Sequence, residues 1–276
     1  MSSRALTSEI ERYLAKWTLV RDGEPIETPT SVLQAVRRDG ERAMFKLLKP
    51  SSDEQGAAAL LRYYDGHGAV RLYAADENAL LMERALGKRC LREMALSGGD
   101  LDAAGILADT LTKLQAARDQ PVPSTLTPLS ERFDSLFERE SKNALLGRCA
   151  EMARHLLSTE GERVPLHGDL HHGNVLDGAP RGWLAIDPKA LIGERTYDVA
   201  NLLRNPAPYG ALVQDPERMR RLAGFYAERL GIERQRILDF AFAHAGLSAA
   251  WDIEDGLDSG YSLRCAEVLA SLAEGP

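Results

Sequence analysis

"LHGDLHHGNVL", Leu166 to Leu176, sets three histidines, an aspartate, an asparagine and two glycines between apolar residues. So much ionisable chemistry in so short a stretch has three readings. It is a metal site, a phosphoryl-transfer loop, or a polar loop with no chemical role. The rest of the chain has to decide among them.

Four residues separate Asp169 from Asn174. The catalytic loop of protein kinases, H-R-D-x-x-x-x-N, has that spacing, and His167 stands in its histidine position. In such a loop the aspartate orients the attacking hydroxyl and takes its proton, and the asparagine amide oxygen ligates Mg²⁺. A second metal carboxylate should follow on the next hairpin, where "WLAIDPK" offers Asp187. The metal reading takes His167, Asp169, His171 and His172 as ligands of a metallohydrolase. However, H-x-D-x-H-H lacks a distal ligand group, and His67, His155 and His244 stand in unrelated contexts. A polar loop without a role explains neither the Asp-to-Asn spacing nor Asp187.

Outward from this stretch, the texture changes near residue 86. Before it the chain reads as strands and turns after one short helix. "SVLQAVRRDGERAMFKLLKP" forms two apolar-rich runs around Asp39-Gly40, a hairpin signal, and "GAVRLYAADENALLMERA" repeats the pattern around "ADEN". Between them Ala57, Leu60, Leu61 and Tyr64 have helical spacing. After residue 86, helical periodicity dominates: Leu107, Leu111 and Leu114 share one face, as do Cys149, Met152, Ala153 and Leu156. One hairpin interrupts the helices, "NVLDG" and "GWLAID" around "GAPR". The expected fold class is α+β, with a small β-rich lobe over residues 1–86 and a larger helical lobe over 87–276. A cleft between two lobes is a preferred ligand site.

A kinase also needs a strand lysine for the α/β-phosphates and a helix glutamate to hold it. "AMFKLLKP" supplies Lys46, and Glu54 follows in the helical segment. Alone, each reads as a surface charge. Their order before the loop favours the kinase reading.

These residues resemble the aminoglycoside phosphotransferases, and most of all the streptomycin 6-phosphotransferase and hydroxyurea phosphotransferase branch. The resemblance is carried by "LHGDLHHGNVL", "WLAIDPKALIGERTYDVANLLRNP" and "LLMERALG", and runs from about Lys46 to "LSAAWD". It implies a protein-kinase-like, two-lobed fold and transfer of the γ-phosphate of ATP to a hydroxyl of the drug. It makes Asp169 the catalytic base, Asn174 and Asp187 the Mg²⁺ ligands, and Lys46 with Glu54 the phosphate-binding ion pair. Met82 to Ala85 resemble the hinge, with the Glu83 carbonyl and the Ala85 amide meeting adenine. His171 is placed to touch the γ-phosphate or to serve structure. Asp198 braces the catalytic loop or caps a helix, and His167 belongs to the same bracing. No G-x-G-x-x-G loop is present, so Thr30, Ser31 and nearby amides in "TPTSVLQAV" have to cover the phosphates.

The acceptor reading rests on charge. Acids outnumber bases 41 to 34, a net charge of −7, which disfavours nucleic acid and suits a cationic partner. "AAWDIEDGLDSGY" carries Asp252, Glu254, Asp255 and Asp258 with few bases nearby in sequence. If the preceding helix continues, Trp251, Asp255 and Asp258 share a face. Trp251, Asp252 and Asp255 are therefore the expected acceptor residues, with a solvated helix end as the rival. The acceptor expected is streptomycin at its 6-hydroxyl; hydroxyurea, an endogenous metabolite and a catalytically dead nucleotide-binding module are alternatives. Cys90, Cys149 and Cys265 form no CxxC, the N-terminus has charges where a signal peptide needs an apolar run, and no segment suits a bilayer span. These features imply free thiols, no membrane contact and a cytoplasmic location.

Overall fold

The computed structural model describes residues 3–273. Helix α1 (Ser3–Lys16) leads into strands β1 (Val20–Arg21), β2 (Ile26–Glu27), β3 (Ser31–Arg38) and β4 (Glu41–Leu48). Then come α2 (Ala57–Tyr64), β5 (Leu72–Asp76) and β6 (Ala79–Glu83). These strands form one antiparallel sheet with path order β1-β3-β4-β6-β5, and β2 pairs with β3.

The hairpin signal at Asp39-Gly40 is explained by backbone geometry. Arg38 pairs with Glu41, leaving a two-residue turn in which both residues have positive φ, 52° and 85°. Such primed turns match the strand twist, and Asp-Gly adopts them readily. The "ADEN" turn closes β5 onto β6 through Asp76 opposite Ala79.

Strand alternation places the site. Leu6, Ile10, Tyr13 and Leu14 on α1 cover one face of the sheet and pack with Phe45, Leu47 and Leu81. The residues between them point the other way, so Lys46, paired in register with Leu80, faces the cleft. A strand covered on one face by a helix thus delivers a buried lysine to the opposite face.

The second part opens with α3 (Leu91–Leu96), α4 (Asp100–Gln115), β7 (Thr127–Pro128), α5 (Leu129–Arg132), α6 (Asp134–Arg139) and α7 (Ala144–Ser158). Strands β8 (Arg163–Leu166), β9 (Val175–Asp177), β10 (Trp183–Ala185) and β11 (Leu191–Glu194) follow. The chain ends in α8 (Tyr197–Leu203), α9 (Gly210–Val213), α10 (Pro216–Leu230), α11 (Arg234–Glu254) and α12 (Gly260–Ala273). The expected hairpin around "GAPR" is β9–β10, with Asp177 opposite Trp183. Helix α11 is buried along most of its length and packs on α7, α8 and α12.

Three features depart from the sequence expectation. Glu54 lies before α2, which starts at Ala57, so the glutamate that pairs with Lys46 is held by a turn and not by a helix. Strands β7, β11 and β8 make a second small sheet, with β11 central. The strands of its antiparallel pair are four residues long and carry Arg163 and Glu194, so no alternation marks them. Also, α11 stops at Glu254 with Asp255 as its cap, and Leu257 N–H returns to the Asp252 carbonyl at 2.7 Å. Asp258 therefore lies outside the helix, and Trp251, Asp255 and Asp258 do not form a helical face.

The two parts are tied at several points. Val70 N–H donates to the Ala185 carbonyl at 3.0 Å, and Ala185 N–H to Gly68 at 2.8 Å. Where the chain enters the second part, Arg89 grips Asp177 bidentately at 2.8 and 2.9 Å, and Gly87 N–H donates to the Asp177 carbonyl at 2.8 Å, which pins the connecting segment to β9. A Cβ at Gly87 would meet Asp177 Cγ at 2.0 Å, so only glycine allows this approach.

Candidate active site

Strand β8 ends at Leu166, and the chain turns into the cleft before resuming at β9. Asp198, in the first turn of α8, braces that turn. Its Oδ2 accepts the His167 N–H at 2.8 Å and its Oδ1 the Gly168 N–H at 2.7 Å. Burial pushes the Asp198 carboxyl up to about 7, against the pull of those two amides. Gly168 has φ +82°, and Leu191 and Lys189 would stand 3.0 Å from any Cβ there.

His167 is fully buried, and both its ring nitrogens are occupied. Nε2–H donates to the Ile186 carbonyl at 2.8 Å, and Nδ1 accepts the Asp169 N–H at 3.3 Å. The ring is thus a neutral strap between the Leu166–Leu176 loop and the segment before Asp187, and burial holds its pKa down to about 4. His172 is buried as well, and burial with the Arg218 charge pushes it down to about 3. Among the described residues, no group of three or more His, Cys, Asp or Glu side chains could hold a metal ion. The histidine cluster expected of a metallohydrolase therefore does not converge.

The phosphoryl-transfer candidates do come together. Lys46 Nζ pairs with Glu54 and lies 2.7 Å from Asp187 Oδ1. Asp187 adopts φ +59°, and Ile186 N–H donates to the Asn174 carbonyl at 2.9 Å, locking the hairpin to the loop. Asn174 Nδ2 donates to the Asp169 carbonyl at 2.9 Å and to Asp169 Oδ2 at 3.3 Å. The amide oxygen of Asn174 is therefore its outward-facing acceptor. His171 Nδ1 accepts the Gly173 N–H at 2.9 Å, which places the proton on Nε2, 3.8 Å from Asp169 Oδ2.

Two cavities flank this core. One, of about 140 Å³, is lined by Leu33, Met44, Val70, Met82, Leu176 and Ile186, with Glu83 and Ala85 at its edge. The Glu83 side chain pairs with Arg181 and accepts the Arg71 N–H at 3.0 Å, so it ties the end of β6 to the β9–β10 hairpin. The other cavity, of about 780 Å³, runs from Asp169 and His171 to Trp251, Asp252, Glu254, Asp255 and Asp258. Thr30 lines it, whereas the buried Ser31 hydroxyl is engaged by Thr28 at 2.9 Å.

The acidic wall is less free of bases than the sequence suggests. Arg132 stacks over Trp251, 4.2 Å from the ring centroid, and pairs with Asp53 at 3.1 Å. Lys189 pairs with Asp53 at 2.7 Å and Glu54 at 3.4 Å. Burial opposes the Lys189 charge, but Asp53 and Glu54 outweigh it and raise its pKa. Arg204 donates to His244 Nδ1 at 2.8 Å. These cations come from distant segments, which is why a linear reading misses them. Asn201, also missed, donates to Asp169 Oδ1 at 3.1 Å. Its one sequence signal is its place three residues after Asp198, on the same helix face.

The chain matches the family described as "Aminoglycoside/hydroxyurea antibiotic resistance kinase" over residues 16–256. It is 44% identical over 246 residues to the streptomycin 3″-kinase of Klebsiella pneumoniae, covering 88% of this chain and 92% of that protein. It is 33% identical over 267 residues to the streptomycin 6-kinase of Streptomyces glaucescens, covering 91% and 84%. Aminoglycoside phosphotransferase APH(4)-Ia superposes with a TM-score of 0.67 at 14% identity, covering 96% of this chain and 98% of that one. The fold is α+β and protein-kinase-like, with an N-terminal sheet and a helical C-terminal part. The chain belongs to the aminoglycoside/hydroxyurea antibiotic resistance kinase family and is a phosphotransferase with an alcohol group as acceptor.

Proposed function

We propose that this phosphotransferase moves the γ-phosphoryl group of ATP to a hydroxyl of streptomycin. The observation that carries the reading is the convergence of Asp169, Asn174, Asp187 and the Lys46–Glu54 pair at the mouth of a cavity with an acidic far wall. Adenine fits the small apolar cavity between Leu33, Val70, Met82 and Leu176, beside Glu83 and Ala85. Lys46, buried and steadied by Glu54, meets the phosphates, and Thr30 with nearby amides covers them. Asn174 and Asp187 supply an amide oxygen and a carboxylate, hard donors suited to Mg²⁺. When bound, that ion supplies positive charge against the phosphate oxygens.

Asp169 holds the acceptor hydroxyl and receives its proton. The hydroxyl oxygen forms a bond to the γ-phosphorus as the bond to the ADP oxygen breaks, and the electron pair leaves on ADP. Because the transition state is loose, positioning and charge neutralisation provide most of the rate. His171 Nε2–H faces the same space and can steady the transferring group.

The acidic wall favours a guanidinium-bearing acceptor over neutral hydroxyurea, because carboxylates bind guanidinium groups bidentately. The greater identity to the 3″-kinase than to the 6-kinase, 44% against 33%, tips the reading from the 6-hydroxyl to the 3″-hydroxyl. Phosphorus–proton correlation NMR of the product reads the position directly. A phosphate coupled to the 3″ proton is expected; coupling to the 6 proton restores the 6-hydroxyl reading.

A further inference from the structure

The amide oxygen and nitrogen of an asparagine look alike, so a chain of amides has a direction only if one end is fixed. Here it is fixed. The backbone N–H of Ala207, which can only donate, binds Asn205 Oδ1 at 3.2 Å. Asn205 Nδ2 must then be its other face, and it donates to Asn201 Oδ1 at 3.1 Å and to the Asn201 carbonyl at 2.9 Å. That in turn fixes Asn201 Nδ2 as the group facing Asp169. It donates to Asp169 Oδ1 at 3.1 Å and to the Leu170 carbonyl at 3.2 Å, so both its hydrogens are engaged. Asn201 and Asn205 are 6% and 9% exposed, and both line the acceptor cavity.

The geometry points to Asn201 and Asn205 as a donor relay that ties down Asp169 Oδ1 and leaves Oδ2 to take the acceptor's proton. This rests on Asp169 being the base of the proposed reaction. Oδ2 is the less tightly held oxygen: Asn174 reaches it only at 3.3 Å and makes its shorter contact to the carbonyl, and His171 Nε2 stands 3.8 Å away, against 3.1 Å for Asn201 on Oδ1. Asn201 is thus a positioning residue, acting through the carboxylate rather than on the substrate. The relay starts at the cavity wall around Ala207, so it also joins the acceptor pocket to the base.

A relay and a packing role predict opposite rankings of two variants. Asn201→Ala removes the donor and should lower kcat about ten- to a hundredfold, with KM for ATP within about twofold of the parent. Asn201→Asp keeps the shape but sets a carboxylate against Asp169, so it should fall below Asn201→Ala. A packing role ranks the isosteric Asp variant above the Ala variant, and that order overturns the relay. Asn205→Asp keeps the acceptor for Ala207 N–H but replaces the donor to Asn201 with a carboxylate oxygen facing the Asn201 carbonyl and Oδ1. It should lower kcat several-fold alone and clearly less in the Asn201→Ala background, where the Oδ1 link is already gone, whereas additive losses contradict the relay. The Asn201 side-chain amide resonances give a reading that needs no acceptor. They should shift in Asp169→Asn and in Asn205→Asp, and unmoved resonances refute the relay even if streptomycin proves not to be the substrate.

Discussion

The floor of the cleft and its acidic rim are built on different principles. On the floor the buried charges have fixed partners. Lys46 and Glu54 have side chains only 1% and 4% exposed, and Asp198 spends both oxygens on backbone amides. On the rim, Glu254 is 45% exposed and splits its oxygens between Ser135 at 2.9 Å and Arg139 at 3.4 Å, while Asp255 caps a helix end in solvent. A buried charge must be fully partnered, so the floor admits few side-chain sets. Exposed carboxylates are cheap to keep and cheap to move. In the proposed reading, the phosphoryl-transfer step is held by the first arrangement and the choice of acceptor falls to the second.

That contrast ranks the expected mutational effects. Asp187→Ala removes the charged metal donor and should leave no measurable transfer at ordinary Mg²⁺, while Asn174→Ala removes a neutral donor and should recover partly as Mg²⁺ is raised. Equal loss in both, without recovery, would separate Asn174 from the metal. Asp169→Asn should lower turnover by about two to four orders of magnitude and leave ATP affinity nearly unchanged. Near-parental turnover in that variant removes the base from the account.

The rim should respond far more gently. Asp252→Asn and Asp255→Asn should each raise the KM for streptomycin about two- to fivefold, the worth of an exposed ion pair. The KM for ATP should stay put, and added salt should reproduce the effect in the parent. Asp252 has the larger expected effect of the two, because its Oδ2 is already oriented by the Ser262 hydroxyl at 2.8 Å. If both variants bind streptomycin as the parent does, the acids are only a solvated helix end.

A separate effect, on stability and not on turnover, concerns pH. His167 has a folded pKa lowered from 6.5 to about 4, so it favours the folded state fully above 6.5. That contribution, about 3 kcal/mol at its upper bound, is lost as pH falls from 6.5 through 4. Denaturant titrations across that window should show a shallower fall for His167→Gln than for the parent. Parallel curves would mean that the imidazole is not held neutral.

The floor was the part most legible in the sequence, and the reason is physical. Asp169 and Asn174 are bound to one short loop, and Asp187 to the next hairpin, so their spacing along the chain is also their spacing in space. The Asp39-Gly40 turn was legible because two positive φ values demand such residues. Arg132, Arg204 and Asn201 were not, because they reach the cleft only through packing of α5 and α8, and Lys189, two residues after Asp187, shows its part only through its pairing with the distant Asp53 and Glu54. Strands β8 and β11 were hidden for a related reason: each is defined by its partner and not by its own pattern. The helical face through Trp251, Asp255 and Asp258 failed because α11 ends at Glu254, where the chain turns back on Asp252.

The central claim is that this cleft phosphorylates a guanidinium-bearing aminoglycoside. Incubating the protein with Mg-ATP and equal amounts of streptomycin and hydroxyurea, then weighing both compounds by mass spectrometry, tests it most directly. Streptomycin should gain one phosphate and hydroxyurea none. A phosphate on hydroxyurea with streptomycin unchanged would contradict the account.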